Sequence, residues 1–301
     1  MSATLLVLAL LPLAGAAVPL ALRGRFAFPL AAALLGIVAA LDAWLLVATP
    51  PGSAILVSRP WAPALDLTLA LRFDHLSGAT ALLIVLIAVG ELWRMRSAAA
   101  PAPSSARGCG LLVLLAGLAQ ACALAENALL LVAFSEMAAI AAFALAADAK
   151  ELDAGARAAL YVRSAGALAL LAAVLLLADS TGSLEFGRVL GAGASLREQP
   201  LSRLLVALVL ASAWSCAGGW PWVRRRWIGS AGFAFAALLA TGVHLVARLW
   251  PLVGGVLPVA AIGAGFVAVP FGVAALERAL ERGVGADEAT PPAASVADAR
   301  K

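Results

Sequence analysis

A few ionisable side chains lie inside long apolar stretches of this sequence. Glu136 follows the run Leu-Leu-Leu-Val-Ala-Phe-Ser, and Asp42, Glu91 and His244 lie in other such stretches. A charge near the centre of a lipid bilayer costs about 2.5–3.5 kcal/mol on insertion scales, so each of these residues needs a partner, a proton or water. Glu91 is one turn from the end of its stretch and can reach the interface. Glu136, Asp42 and His244 are therefore the candidates for proton or ion chemistry.

Glu136 has the strongest case, because it lies too deep in its stretch to reach an interface. We expect its partner to be Arg163, near the start of the next apolar stretch. The two stretches are joined by 149–158 and should form antiparallel neighbours. Two interpretations fit this pair. Glu136 is either a proton-handling carboxylate whose pKa is set by a nearby cation, or half of a static ion pair that fixes helix register.

The other polar candidates point less clearly to chemistry. A lone histidine in a membrane span is more often a hydrogen-bonded packing residue than a proton relay, so His244 and Asp42 are kept only as candidate pathway residues. Cys109, Cys122 and Cys216 are too few and too scattered for a disulfide framework or a metal cage. We therefore predict no metal site, no catalytic residue and no cofactor in this chain.

The composition excludes most classes of protein. Of the 301 residues, 63% are hydrophobic and 13% are charged, against about 25% charged in an average soluble domain. A soluble enzyme, a disordered regulator and a secreted disulfide scaffold are excluded. The low aromatic content and the lack of alternating ten-residue segments argue against a β-barrel. Lipid cannot satisfy exposed backbone groups, so the sequence predicts an all-α, polytopic transmembrane helix bundle.

Nine apolar runs approach the ~20 residues that a membrane span requires. The first has no preceding Lys or Arg and continues to Leu22, which favours a span over a cleaved signal peptide. The nine predicted spans are 3–22, 27–48, 74–93, 109–125, 127–147, 159–178, 202–218, 229–249 and 252–274.

The distribution of basic residues predicts the topology. With nine spans, 15 of the 21 Lys and Arg residues fall on one side of the membrane. The positive-inside rule then places the C-terminus in the cytoplasm and the N-terminus outside, in a bacterial-type inner membrane. The basic residues form no continuous stripe, so nucleic acid is not an expected partner. The expected surroundings are the lipid bilayer and other membrane subunits.

Three connecting segments have distinctive compositions. The outer loop 49–73 contains several prolines and an alternating stretch at 65–69 that predicts a short strand. The stretch 220–227 combines Trp with three arginines, which is typical of an interfacial anchor. Residues 283–301 are rich in Ala and Pro and are predicted to form a disordered cytoplasmic tail.

Several motifs, in order along the chain, carry a resemblance to a known family. Residues 73–77 read Phe-Asp-His-Leu-Ser, 127–137 run from Asn through Glu-Met, and 242–249 read Gly-Val-His-Leu-Val-Ala-Arg-Leu. Together with 181–186, they resemble corresponding motifs of the antiporter-like subunits of respiratory complex I, of Mrp antiporters and of membrane-bound hydrogenases. The likeness covers about 60–255, and the ordered set is more specific than any single motif.

The resemblance implies roles for individual residues. The family's essential glutamate falls on Glu136 and its basic partner on Arg163. The family's channel lysine falls on Cys216, and its buried relay histidine falls on Ala234. His244 then occupies a position that is tyrosine in the family. A thiol and a methyl group cannot carry a proton as lysine and histidine do, so the resemblance implies that the usual relay is missing.

The resemblance also implies the domain organisation. Residues 1–282 would form the antiporter-like transmembrane domain, with the family's first repeat at about 109–249. The second, inverted repeat is mostly absent, so the chain resembles a truncated, degenerate member. Autonomous proton pumping by the family's usual route is therefore not expected.

Three functions remain open at this point. The favoured one is an accessory membrane subunit of a redox-driven, ion-translocating complex of the NADH:quinone oxidoreductase or hydrogenase type, with iron–sulfur and quinone-binding partners in other chains. The alternative is a component of an Mrp-like cation/proton antiporter or an inorganic-carbon transporter without redox partners. The third is a purely structural membrane scaffold. In each case the chain is expected to catalyse no reaction alone.

Overall fold

The computed structural model describes residues 1–21, 26–62, 67–97, 104–148, 154–191, 193–199, 201–219, 230–253 and 259–288. These residues form a bundle of helices with one two-stranded sheet. The helices are α1 Ser2–Gly15, α2 Ala17–Ala21, α3 Ala27–Ala48, α4 His75–Ser97, α5 Ser104–Leu124, α6 Ala128–Asp148, α7 Ala154–Thr181, α8 Phe186–Gly191, α9 Gly193–Glu198, α10 Ser202–Ser215, α11 Ser230–Arg248, α12 Trp250–Val253 and α13 Val259–Glu288, with a 3₁₀ turn at Cys216–Gly219.

The predicted all-α membrane fold is confirmed. Within the described residues, seven helical segments are long and apolar enough to cross a bilayer. Two further apolar helices, Ser202–Gly218 and Phe233–Arg248, are shorter. All nine predicted runs contain helix, but the count of nine spans and the orientation of the termini stay predictions.

The C-terminal helices differ from the sequence prediction at one boundary. Of the predicted run 252–274, the structure describes α12 up to Val253 and α13 from Val259, and residues 254–258 lie outside the described part of the chain. Helix α13 continues to Glu288, past the predicted start of the tail at residue 283. The rest of that tail and the Trp- and Arg-rich stretch 220–227 lie outside the described residues.

Helix α5 is the central helix of the bundle. In its apolar window 89% of the residues are buried, and it packs against α1, α2, α3, α4, α6 and α11. Helix α13 is the opposite case, because only 12% of its window is buried and side chains such as Phe271 point outward. An apolar helix surface exposed in this way requires lipid or another membrane protein as its surroundings.

A β-hairpin precedes α4. Strand β1 (Ile55–Ala62) pairs antiparallel with β2 (Leu67–Phe73), and the register shifts between Pro60 and Ala62. The strand predicted at 65–69 is confirmed from Leu67 onward, while 65 and 66 lie outside the described residues. Strand β1 was not predicted, because Pro60 interrupts the pattern of a regular strand.

Backbone hydrogen bonds join the hairpin to the link between α5 and α6, and join that link to α8. The Glu126 amide, in the link between α5 and α6, donates to the Ala70 carbonyl at 2.9 Å, and the Phe186 amide donates to the Glu126 carbonyl at 2.9 Å. We call this part of the bundle the hairpin end; it comprises β1, β2, the link 125–127 and α8. The predicted topology places the same segments on one side of the membrane.

Close packing of α7 on α10 makes Gly166 intolerant of a side chain. A Cβ atom at Gly166 would lie 2.3 Å from Ser215 Cβ, an atom that cannot move without its backbone. We expect Gly166→Ala to destabilise the protein by about 1–3 kcal/mol through overpacking. The measurement is thermal unfolding in detergent micelles. Gly90→Ala is the matched control, since nothing lies within 4 Å of its Cβ position. Equal melting temperatures for the two variants would contradict the prediction.

Candidate ion-pathway site

The structure brings Glu136 and Arg163 together, as the sequence predicts. Glu136 lies on α6 and Arg163 on α7, and Arg163 Nη2 is 3.2 Å from Glu136 Oε1. The same Nη2 donates to the Ser135 carbonyl at 3.4 Å. The two helices pack against each other, so an ion pair links adjacent helices within the bundle.

The two members of this pair differ in burial. The Arg163 side chain is 5% exposed, whereas the Glu136 side chain is 36% exposed. On the same helix, Met137 and Ile140 are exposed. The guanidinium therefore lies inside the bundle, and the carboxylate lies at its surface. A carboxylate at this depth of an apolar helix needs a polar neighbour from outside the chain or a proton.

Arg163 is under-satisfied for a buried cation. Its Nε and Nη1 have no hydrogen-bond partner among the described residues. Two small cavities adjoin the residue, one of about 30 Å³ and one of about 20 Å³. Cys216, the position of the family's lysine, is buried and lines both of them. Ala234 is fully buried in the apolar core, and it brings no polar group to the site.

The other two predicted residues have partners of their own. His244, on α11, is buried, and its Nδ1 lies 3.2 Å from Thr80 Oγ1 on α4. Asp42 is fully buried on α3, and Gln120 Nε2 on α5 donates to both of its carboxylate oxygens, at 3.1 and 3.3 Å. His244 lines the 20 Å³ cavity beside Arg163, whereas Asp42 lines neither cavity.

A second set of charges, at the hairpin end, was not predicted as a site. Arg248, at the end of α11, pairs with Glu126 and lies 3.6 Å from Asp74. Arg72 on β2 bonds Asp74 at 2.8 Å and approaches Glu126 at 3.8 Å. Two cations and two carboxylates thus alternate around one network. The Gly187 amide completes the set by donating to Glu126 Oε1 at 2.8 Å.

The sequence contained a signal for this network. Asp74 and Arg248 lie in two of the motifs that carry the family resemblance, and Glu126 is the charged residue between two long apolar runs. Nothing in the sequence alone indicated that these three residues meet. The network joins the hairpin, α4, the α5–α6 link and α11, so its direct effect is to fix the relative positions of these elements.

Asp74 also caps α4. Its Oδ1 accepts from the Ser77 amide at 2.9 Å, and its own amide donates to Ser77 Oγ at 2.8 Å, which is a reciprocal capping arrangement. Burial by itself raises the pKa of the Asp74 carboxyl. The hydrogen bonds from Ser77 and the charges of Arg248 and Arg72 outweigh burial, so the pKa lies below its usual value of 3.8.

The lowered pKa of Asp74 predicts a pH-dependent stability. The ionised carboxylate stabilises the folded state above the usual pKa, and this contribution is lost as the pH falls through the lowered value. Asp74→Asn keeps the cap acceptor and removes the charge. We expect it to destabilise the protein at neutral pH, with the difference from wild type vanishing as the pH falls below the lowered pKa of Asp74. Melting temperatures over this pH range test the prediction, and a difference independent of pH would contradict it.

Among the described residues, no group of three or more His, Cys, Asp or Glu side chains is placed to hold a metal ion. The fold and the charged residues define a multi-pass helical membrane protein with a carboxylate–guanidinium pair that links two adjacent helices. Comparisons with known proteins show which membrane proteins the chain is similar to. No family model matches the chain.

Two curated proteins are similar in sequence. A Rhizobium meliloti (strain 1021) protein, named as the A/B subunit of a K(+)/H(+) antiporter, is 29% identical over 206 residues, covering 65% of this chain and 20% of that protein. The Staphylococcus epidermidis antiporter subunit mnhA2 is 26% identical over 211 residues, covering 66% of this chain and 26% of that protein. The chain thus spans about a quarter or less of these relatives.

Three solved structures share the fold. The Mrp complex from Dietzia sp. DQ12-45-1b matches with a TM-score of 0.66 and 22% identity, over 81% of this chain and 28% of the other. Respiratory complex I from Thermus thermophilus matches with a TM-score of 0.67 and 20% identity, over 83% of this chain and 53% of the other. The archaeal membrane-bound sulfane sulfur reductase matches with a TM-score of 0.65 and 21% identity, over 83% of this chain and 41% of the other. The predicted resemblance to antiporter-like membrane subunits is confirmed.

Proposed function

We propose that this chain is a membrane subunit of an ion-translocating complex, and that the Glu136–Arg163 pair is its working element. The observation that carries the proposal is a mid-helix carboxylate 3.2 Å from a buried guanidinium, within a fold shared with antiporter-like subunits. A carboxylate beside a fixed cation can bind and release a proton or a cation with little movement of the helices.

The exposure of Glu136 supports a partner subunit on the open face of α6. The carboxylate is half-way along an apolar helix and is 36% exposed in the isolated chain. Lipid tails cannot solvate it, so a neighbouring membrane subunit that offers a polar or cationic group would complete the site. A change in that neighbour's charge would then shift the balance between Glu136 and Arg163.

An Mrp-type cation/proton antiporter is the favoured setting for this subunit. Both curated relatives, which are similar in sequence, carry antiporter names, and the solved Mrp complex shares the fold. The second candidate is a redox-driven complex of the NADH:quinone oxidoreductase or hydrogenase type. It is supported by the fold shared with complex I and with the sulfane sulfur reductase.

In either setting we propose an accessory role. Cys216 and Ala234 stand where the resemblance implies a lysine and a histidine, and neither a thiol nor a methyl group can act as a cationic proton carrier. An accessory subunit with Glu136 and Arg163 alone can influence a neighbouring ion path through its charges. It does not need to provide a complete path of its own.

Identification of the partner chains tests the proposal. The full chain, tagged and extracted from native membranes in a mild detergent, is expected to copurify with other polytopic subunits. Antiporter-type subunits alone would support the favoured setting, and iron–sulfur and quinone-binding subunits would support the second. A stable chain that transports ions without partners would contradict the accessory role.

A further inference from the structure

The cavities around Arg163 form a series that crosses the bundle. We name them by one lining residue each. The Phe143 cavity, of about 30 Å³, is lined by Phe143, Ala159, Arg163, Ser215 and Cys216 among others. The His244 cavity, of about 20 Å³, is lined by Cys122, Ser135, Arg163, Cys216, Thr241 and His244 among others. Arg163 and Cys216 line both cavities, so the two cavities adjoin each other at these residues.

His244 separates the second cavity from an open groove between α4 and α11. This α4–α11 groove has a volume of about 480 Å³, and Leu76, Thr80, Leu83, Phe235, Val243 and His244 contribute to its lining. His244 lines both the His244 cavity and the groove, and Phe235 lines both the Phe143 cavity and the groove. Each small cavity therefore shares a lining residue with the groove between α4 and α11.

Both small cavities are large enough for water. A cavity needs roughly 10–15 Å³ by this measure to hold one molecule, provided that polar groups line it. The His244 cavity meets the second condition. Arg163 is only 4% exposed and His244 only 3% exposed. Arg163 Nε, Arg163 Nη1 and His244 Nε2 are buried without a hydrogen-bond partner among the described residues. Buried polar atoms of native proteins almost always have a partner, often an ordered water.

The hydrogen bonds of His244 assign the proton on its ring. Thr80 Oγ1 donates its hydrogen to the Leu76 carbonyl at 2.8 Å, so toward His244 it can only accept. With the Thr80 hydroxyl bonded to Leu76, Nδ1, which lies 3.2 Å from Thr80 Oγ1, is the ring nitrogen that carries the proton. Nε2 is left as an acceptor that needs a donor. The Arg163 nitrogens are donors only, so a water that accepts from Arg163 and donates to His244 satisfies both residues.

We propose that water in the His244 cavity bridges Arg163 and His244, and that it forms part of a hydrated path that leaves the bundle at the α4–α11 groove. The transport role of the path rests on the proposed function, whereas the presence of the water does not.

Solid-state NMR of the full chain in lipid bilayers tests the proposal directly. The protein has two histidines, and His75 is exposed at the start of α4. His75→Gln leaves one imidazole, while the wild-type protein supplies His75 as a hydrated reference. Labelling with ¹⁵N-histidine then reports two properties of His244, the tautomer from its shifts and the proximity of water from water-to-ring polarisation transfer.

The expected result is the Nδ1–H tautomer with water transfer to Nε2. The competing arrangement is a ring N–H directed at the Ala123 backbone, which can hydrogen-bond the imidazole, with no water at Nε2. An Nε2–H tautomer, or a ring that receives no magnetisation from water, would overturn the proposal. The measurement needs no partner subunit and no ion gradient, so its outcome does not depend on whether the proposed function is right.

A filled cavity provides the matched comparison. Cys216→Leu places a larger apolar side chain in both cavities and is expected to abolish the water transfer to His244. Cys109→Leu changes another buried cysteine that lines neither cavity, and it should leave the transfer unchanged. Retained transfer in Cys216→Leu would place the water on the groove side of His244 and would overturn the bridge to Arg163. If Cys216→Leu does not fold, the measurement on His75→Gln still decides the proposal.

Discussion

Glu136→Gln is expected to lower ion-linked transport by the assembled complex by about 10²-fold, the scale on which a positioned proton-transfer group contributes. Glutamine has the shape of glutamate, and its amide oxygen can still accept the hydrogen bond from Arg163 Nη2. The fold and the helix register should therefore persist, while the ability to exchange a proton or to attract a cation is lost. Dye-detected pH changes in inverted membrane vesicles measure the effect.

Two further variants make this result specific. Glu185→Gln removes a carboxylate from an exposed pair with Arg188 at the hairpin end, and it should leave transport unchanged. The double variant Glu136→Gln with Arg163→Leu separates the working pair from a scaffold. If the pair fixes only packing, the double variant keeps both assembly and transport. Assembly with loss of transport excludes that interpretation, and normal transport in Glu136→Gln alone would refute the proposed role.

Arg248→Leu is expected to destabilise the protein by about 3–5 kcal/mol, the cost of removing one partner of a buried ion pair. The Arg248 side chain is 4% exposed, and it contacts both Glu126 and Asp74. Its loss leaves two carboxylates at the hairpin end with Arg72 as their remaining cation in the described network. Thermal or denaturant unfolding in detergent micelles, compared with wild type, measures the effect.

Arg188→Leu is the matched control for this prediction. Arg188 is paired with Glu185 at 3.6 Å, but its side chain is 73% exposed, so its removal should cost less than about 1 kcal/mol. A second comparison adds Glu126→Gln to Arg248→Leu. Removing one of the unpaired charges should recover part of the lost stability. Equal effects of the two arginine substitutions would show that the network contributes no more than a surface ion pair.

Most of the fold could be predicted from apolar length alone, because a span of the bilayer leaves a long and unambiguous signal. The failures are local. Helix α13 runs past residue 283 to Glu288, beyond the point where hydropathy marks a helix. The hairpin was half predicted, since β2 alternates but β1 contains Pro60.

The candidate site could be predicted in part for a similar reason. Glu136 is conspicuous in its apolar helix, and Arg163 is the basic residue at a matching depth of the next one. The partners of Asp42 and His244 were missed because Gln120 and Thr80 carry no charge. The hairpin-end network was missed because charges near helix ends are usually solvated, and only the folded chain brings Arg72, Glu126 and Arg248 together.

The hairpin-end network has a consequence for how the protein is made. Helices enter the membrane in the order of synthesis, and Arg248 is the last of the four charged residues to leave the ribosome. Until it arrives, Asp74 and Glu126 face each other with Arg72 as the available cation. Newly inserted chains that lack α11 should therefore be recognisable to membrane proteases as unfinished. Arg248 thus marks the point in biogenesis at which the hairpin end closes, and chains that stop before it should be degraded faster than full-length chains.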